Sequence, residues 1–223
     1  MSKFFIFIFF LSFSLACYAQ EPDTTAIDND DDEGVLVKPD NSAPLKLGLK
    51  LGVGYASMLG GELQNPTGCF DLNGAAYLRY RFKPRWAYQT EAGVSFRGSN
   101  FSNGPSEYST IKLYYLDVPV MLLYGLNKTA TSNLILGVQY SYLLNSSIYT
   151  SNGAFPEPTA PGLKKNDVLA IIGAQFYTPF VGFQITAKYG LLNINNGLLG
   201  ANTKPAYKGK DIHNFAIEIA LIF

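Results

Sequence analysis

The sequence predicts an all-β chain that forms an eight-stranded antiparallel up-and-down transmembrane β-barrel with short periplasmic turns and long external loops. Three observations predict it: eight segments alternate apolar and polar residues, their connections alternate short and long, and aromatic residues gather at both ends of the segments. Of the 223 residues, 48% are hydrophobic and only 15% are charged, whereas soluble domains carry roughly 25% charged residues. The surface of such a chain mostly meets something other than water.

The N-terminus, residues 1–19, is typical of a secretory signal peptide. Lys3 precedes an apolar run from Phe4 to Ala16, which is too short to span a bilayer as a permanent helix. We expect cleavage after Ala19, and a weak lipobox-like pattern at Cys17 leaves a lipid-modified N-terminus as the alternative. Cleavage after Ala19 removes Cys17, so the exported chain then retains only Cys69 and has no internal disulfide.

Residues 20–44 are predicted to be a disordered acidic tail on the periplasmic side. Residues 21–44 carry eight acids and one lysine, without apolar periodicity. Asp28, Asp30 and Asp32 alternate as in a calcium-binding EF-hand loop, but no glycine stands at the sixth position. A solubilising spacer is therefore the favoured interpretation. The zero net charge of the whole chain hides this segregation, since residues 45–223 carry 15 bases against nine acids.

The barrel itself is predicted over residues 45–223, and its first four strands alternate clearly. They are Leu45–Tyr55, Phe70–Phe82, Trp86–Arg97 and Ile111–Tyr124. In the first, leucine, valine and tyrosine oppose lysine and glycine. In the second and third, aliphatic and aromatic residues oppose arginine, asparagine, glutamine and Glu91. In the fourth, the apolar face opposes Asp117 and Pro119, and the missing N–H of Pro119 predicts a local bulge.

The last four segments show the same period. They are Asn133–Leu144, Val168–Phe176, Val181–Tyr189 and His213–Phe223. The seventh opposes its apolar face with glutamine, threonine and Lys188, and the eighth opposes isoleucine and phenylalanine with asparagine, alanine and Glu218. No segment after the signal peptide approaches the roughly 20 apolar residues that a membrane helix requires.

The polar face of these strands distinguishes a membrane barrel from a soluble one. It is rich in glycine, alanine, serine, asparagine and glutamine, with charges of both signs, as the narrow interior of an eight-stranded membrane barrel requires. A soluble barrel would instead present many lysines and glutamates to water. We therefore predict a lumen charge network, with Asp167 beside it, of Lys46, Lys50, Arg79, Arg81, Glu91, Arg97, Asp117, Lys188 and Glu218.

Connections and aromatic residues agree with this arrangement. The segments around 83–85, 125–132 and 178–179 are short, and those at 59–69, 98–110, 145–167 and 190–211 are long, which predicts that both chain termini lie on the periplasmic side. Aromatic girdles are predicted at the periplasmic ends, from Tyr80, Phe82, Trp86, Tyr88, Tyr124, Phe176 and Phe223, and at the outer ends, from Tyr55, Phe70, Phe96, Tyr114, Tyr142, Tyr189 and Phe215.

Two segments resemble known patterns. Tyr115-Leu116-Asp117-Val118-Pro119-Val120-Met121-Leu122-Leu123-Tyr124 resembles a central motif of the PorT-like outer-membrane β-barrel family of Gram-negative bacteria, and the likeness extends over residues 45–223. Leu123 departs from the pattern, which commonly has lysine there. The alternating last strand, with Phe215, Ile217, Ile219, Leu221 and the terminal Phe223, resembles the motif that the barrel assembly machinery recognises.

The sequence favours an integral outer-membrane protein without enzymatic activity. The resemblance implies a structural or interaction component of the cell envelope, and named family members serve the type IX secretion system. The expected partners are outer-membrane lipid, the assembly machinery and secretion or envelope proteins, whereas a neutral chain without nucleic-acid motifs excludes nucleic acid. A small gated pore is the alternative. A lipid-modifying enzyme would have to use the lone His213, without a nucleophile elbow, so we predict no catalytic residue, cofactor or metal.

Overall fold

The computed structural model describes residues 44–60, 67–102, 108–127, 131–150, 163–178, 180–196 and 211–223. The predicted signal peptide, Cys17 and the acidic residues of the tail lie outside these ranges, as does most of the long connections 151–165 and 191–211. Within the described ranges, no helix is both long and apolar enough to cross a membrane.

Eight antiparallel strands form a closed barrel in which each strand pairs with its neighbour in sequence and β8 returns to β1. The strands are β1 Leu45–Gly60, β2 Thr67–Lys83, β3 Trp86–Ser102, β4 Tyr108–Gly125, β5 Ser132–Thr150, β6 Asn166–Tyr177, β7 Gly182–Gly190 and β8 Ile212–Ile222. The predicted all-β, eight-stranded up-and-down architecture is confirmed, because each predicted segment corresponds to one of these strands, and only Val181 and Phe223 lie one residue outside them.

Because the residues alternate with a period of two, apolar side chains lie on one face of the sheet and polar side chains on the other. Leu47 and Leu136, which face outward, are 74% and 66% exposed, whereas Gln139 and Gln175 face inward and are completely buried. The outward band of aliphatic side chains continues around all eight strands, and paired rings lie near its edges. The ring centroids of Trp86 and Tyr124 are 4.9 Å apart, and those of Phe96 and Tyr114 are 5.0 Å apart.

Strands β1 to β5 are longer than predicted. They contain 16 to 19 residues, against nine to 12 in β6 to β8. Residues that the sequence assigned to long loops, such as Asn145 to Thr150, continue the ladder with β4. Apolar alternation ends at the edge of the bilayer, but backbone N–H and C=O groups still need partners, so pairing extends beyond the alternating segment.

The predicted bulge at Pro119 is wrong. The register between β3 and β4 is the same on both sides of Pro119, with pairing interrupted only between Thr90 and Gly93. The Thr90 hydroxyl donates to the carbonyl oxygen of Pro119 at 3.2 Å. The register shift in β4 lies instead at Tyr114 and Tyr115, against β5. Loss of one N–H removes a ladder bond, but it does not insert a residue, and a bulge requires an inserted residue.

The barrel closes where the C-terminal residue meets β1. The N–H of Phe223 donates to the Leu49 carbonyl at 2.9 Å, and the N–H of Leu49 donates to the Phe223 carbonyl at 3.2 Å. The buried Tyr77 hydroxyl, which reaches across Gly48 from β2, also donates to the Phe223 carbonyl at 3.2 Å. Gly48 therefore leaves the space through which β2 contacts the end of β8.

Candidate functional site

Three ion pairs occupy the lumen and join strands that are not always neighbours. Lys50 of β1 binds Glu91 of β3, Arg97 of β3 binds Asp117 of β4 at 2.5 Å, and Lys188 of β7 binds Glu218 of β8 at 2.6 Å. All six side chains are buried. These contacts, called the three ion pairs below, bring six of the predicted network residues together.

Asp117 has the most complete set of partners among them. One carboxylate oxygen accepts from Arg97 and, at 2.7 Å, from the Ser95 hydroxyl, and the other accepts from the Ser141 hydroxyl at 2.6 Å. Charge-assisted hydrogen bonds of this kind hold three strands to one side chain. Asp117 thus links β3, β4 and β5 across the interior.

Arg79 is held by neutral groups near the periplasmic end. Its guanidinium donates to the Gln89 amide oxygen at 2.9 and 2.7 Å, to the Gln175 amide oxygen at 3.0 Å and to the Tyr177 hydroxyl. The guanidinium carbon also lies 4.8 Å from the centre of the Tyr177 ring. Oriented amides and an aromatic ring stabilise this cation in place of a carboxylate.

The other predicted charges lie at the ends of the barrel. The Lys46 ammonium is 5.3 Å from the centre of the Tyr177 ring, and the backbone N–H of Arg81 donates to the Pro44 carbonyl at 2.7 Å. Asp167, at the outer end, accepts from the Asn214 amide at 2.7 Å and from the Val168 N–H at 2.8 Å. None of these three belongs to the three ion pairs.

Apolar side chains close the lumen above and below the charged layer. An outer plug at the extracellular end consists of Met58, Ile111, Leu113, Tyr115, Leu143, Ile194 and Ile212, with Leu163 packed against it. Lys164 N–H donates to the Ile194 carbonyl at 2.8 Å, and Ile194 N–H donates to the Ile212 carbonyl at 2.9 Å. Parts of two long connections thus fold into the mouth of the barrel.

The periplasmic half contains two smaller clusters. Leu123 packs with Ala87, Met121, Ile135 and Ile171, and Tyr77 packs with Tyr177 and Ile222. Leu123 therefore takes an apolar position at the place where the resembled motif commonly has a lysine. A charge there would be buried without a polar partner in this cluster.

The motif that carries the family resemblance divides between the two faces of β4. Tyr115, Asp117 and Pro119 are directed into the barrel, whereas Leu116 and Tyr124 are directed outward. The Tyr115 hydroxyl accepts from the Asn214 amide at 3.2 Å, and the Arg97 guanidinium carbon lies 5.0 Å from the centre of the Tyr115 ring. The motif thus supplies both lumen packing and the central carboxylate.

The sequence prediction missed several inward residues. Asp71 is completely buried in the lumen but is not part of the predicted charge network, and that network also lacks the glutamines and tyrosines that contact Arg79. The period of two that identified the charges would have found these residues too. Near the middle of the lumen, a cavity of about 10 Å³ touches Lys50, Glu91, Asn73 and Gln139, which is enough for one water molecule.

The described residues do not form a group of three or more His, Cys, Asp or Glu side chains suited to hold a metal ion. His213 stacks on Tyr189 with ring centroids 5.7 Å apart, and its Nδ1 lies 3.0 Å from the Gly190 carbonyl oxygen. The lone histidine thus lies in an aromatic pair at the outer end of the barrel.

Comparison with known families decides the class of this barrel. A family described as outer membrane protein beta-barrel domain matches residues 40–196, more than half of the chain. The chain belongs to this family. It is an outer-membrane β-barrel protein, which confirms the predicted location in the outer membrane. No curated protein matches the sequence.

Solved structures similar to the barrel include three outer-membrane proteins. They are the attachment invasion locus protein Ail of Yersinia pestis (15% identity, 79% of this chain and 97% of that chain, TM-score 0.42), Neisserial surface protein A (12%, 80%, 99%, 0.48) and OprG of Pseudomonas aeruginosa (12%, 79%, 95%, 0.39). Likenesses at this level carry no information about the activity of this outer-membrane barrel.

Proposed function

We propose that this outer-membrane barrel is a non-enzymatic structural or interaction component of the cell envelope, of the PorT-like kind, and that it contributes to protein secretion of the type IX class. The observation that carries the proposal is a lumen filled by ion pairs and closed at both ends by apolar side chains. Because the interior is filled, the surfaces available to bind a partner are the outer rim, the periplasmic end and the lipid-facing wall.

The extended rim of β3, β4 and β5 is the surface that best supports an interaction role. β5 continues for eight residues beyond Tyr142, the residue that pairs with the first residue of β6, which is roughly 25 Å of strand. Its outward face is polar: the Thr110 hydroxyl donates to the Asn100 amide oxygen at 2.7 Å, and the Lys112 ammonium lies 4.9 Å from the Tyr149 ring centre. Such a face suits water and a protein partner.

Photo-cross-linking from this rim tests the interaction role. A photoreactive residue at Asn100 or Ser147 is expected to yield specific adducts with envelope or secretion proteins in living cells. The same residue at Val138, which faces outward in the aliphatic band, is the matched control and is expected to label lipid. Secretion components missing from every rim adduct would contradict the secretion assignment.

The filled lumen argues against the alternative of a small pore. Hydrophobic constrictions exclude water and ions, and the outer plug is such a constriction. In planar bilayers we expect no conductance steps from the purified protein, and none from Arg79→Glu or Glu218→Lys. Ohmic steps whose size changes with either charge reversal would show that the lumen conducts.

The last strand supports the inferred recognition by the barrel assembly machinery. Ile217, Ile219, Leu221 and Phe223 are all exposed on the outward face of β8 or at its end. Before β8 pairs with β1, this apolar face and the unpaired backbone edge of β8 are both available to the machinery. The same residues then face outer-membrane lipid, the second inferred partner.

A further inference from the structure

One buried carboxylate of the lumen has no partner. Asp71 of β2 is completely buried, and both of its carboxylate oxygens lack a hydrogen-bond partner in the described part of the chain. The three ion pairs nearby are each neutral. Asp71 therefore leaves this layer of the lumen with one uncompensated negative charge, which is unfavourable in a protein interior.

Arg97 cannot neutralise both carboxylates that flank it. Asp71 precedes Leu72, whose partner Phe96 precedes Arg97, at the point where the β2–β3 register shifts. The Nη2 of Arg97 binds Asp117, whereas its Nε and Nη1 have no partner within the described ranges. One guanidinium thus faces two carboxylates and supplies one positive charge.

Two glycines of β1, Gly52 and Gly54, place no side chain in the lumen between β2 and β8. Gly54 pairs with Asp71 on one side and with Glu218 on the other. A Cβ at Gly54 would lie 3.1 Å from the Cγ of Glu218, and one at Gly52 would lie 2.6 Å from the Oδ1 of Asn73. The side chains of Glu218 and Asn73 therefore occupy the space above the glycines, where other residues would have their own side chains.

Oxygen atoms line this space. The Asn73 side chain is buried and its amide has no partner among the described atoms, and the Thr186 hydroxyl, on the strand beyond Glu218, also lacks one. Carboxylate, amide and hydroxyl oxygens are the ligands that hard cations prefer. The unsatisfied donors here are the Asn73 amide nitrogen and two Arg97 nitrogens, and the remaining unsatisfied atoms are oxygens beside an unpaired carboxylate, which point to a missing positive charge.

We propose that the lumen binds one additional unit of positive charge, a proton or a monovalent metal cation, at Asp71 and Glu218 above Gly54. The charged and titratable groups around this position are Lys50 of β1, Glu91 and Arg97 of β3, Tyr115 and Asp117 of β4, Asp167 of β6, Lys188 of β7 and Glu218 of β8. On β5 the inward groups are the neutral Gln139 and Ser141.

Urea unfolding of the whole barrel in phospholipid vesicles separates the two sources of charge. If the charge is a proton, the folded barrel retains it while the unfolded chain releases it above about pH 4. The unfolding equilibrium constant then rises about tenfold per pH unit until Asp71 ionises in the folded barrel. If the charge is a metal cation, replacing choline by Na⁺ or K⁺ at pH 8 and constant ionic strength raises the urea midpoint to a plateau.

Asp71→Asn keeps the shape of the side chain and removes its charge, so it is expected to abolish whichever response the wild type shows. Asp211→Asn, which removes an exposed acid outside the lumen, is the matched control and is expected to leave the response intact. The proposal is overturned if the wild type responds to neither pH nor cation, or if Asp71→Asn responds as the wild type does.

Discussion

Replacing Gly48 with alanine is expected to prevent most of the protein molecules from closing into a stable barrel. The new Cβ would lie 2.1 Å from the carbonyl oxygen of Phe223 and 2.5 Å from the Tyr77 hydroxyl. The carbonyl belongs to the pairing that joins β8 to β1, so it cannot move without breaking that pairing. We expect a loss of about 3 kcal/mol in the free energy of unfolding, at the upper end of overpacking costs.

The measurement is heat-modifiable migration on a gel, combined with the urea midpoint in vesicles. Gly74→Ala is the matched control on an adjacent strand, because its Cβ would meet nothing nearer than a Leu51 methyl at 3.4 Å. Tyr77→Phe, which removes only the hydroxyl that binds Phe223, is expected to cost about 1 kcal/mol. Equal folding of the Gly48→Ala and Gly74→Ala variants would contradict this account of closure.

The second large effect is expected from Asp117→Leu. Removing this carboxylate breaks the one ion pair that Arg97 makes among the described residues, and it leaves the Ser95 and Ser141 hydroxyls without their acceptor. Breaking one partner of a buried ion pair costs about 3–5 kcal/mol. Urea unfolding followed by tryptophan fluorescence measures this, since Trp86 is the only tryptophan in the chain.

A double variant distinguishes the cost of an orphaned charge from the value of the pair. Arg97→Met with Asp117→Leu removes both charges, and it is expected to recover more than half of the stability lost in Asp117→Leu. Full recovery of the free energy of unfolding is not expected, because the Ser95 and Ser141 hydroxyls stay buried and still lack the Asp117 acceptor. A double variant as unstable as Asp117→Leu would show that Asp117 acts through the serines and not through Arg97.

The strands of this barrel could be predicted because each one faces two different environments. Alternation in segments such as Leu45–Tyr55 and His213–Phe223 reflects a strand with one face toward lipid and one toward the lumen, and this information is local. Strand ends were predicted less well. Beyond the bilayer, β5 continues through Asn145 because β4 supplies backbone partners, and no local pattern records that.

The lumen shows the same division. Parity along each strand assigned Lys50, Glu91, Arg97, Asp117, Lys188 and Glu218 to the interior. Which inward side chains contact each other depends on the stagger between strands, and the alternation within one strand does not give that stagger. It therefore did not indicate that Lys50 binds Glu91 two strands away. Nor did it indicate that glutamines and Tyr177 bind Arg79. The same stagger leaves Asp71 alone beside an arginine already bound elsewhere.

By itself, the sequence determined the class of this protein: eight amphipathic strands, their order, their inward and outward faces, and a location in the outer membrane. Only the tertiary structure decided that the lumen is closed, since the outer plug combines Met58 of β1, Leu113 of β4 and Ile194 of a long connection. The physical reason is that the alternation of apolar and polar residues is a local property of each strand's own sequence. The contacts across a closed barrel arise only when all eight strands share one register.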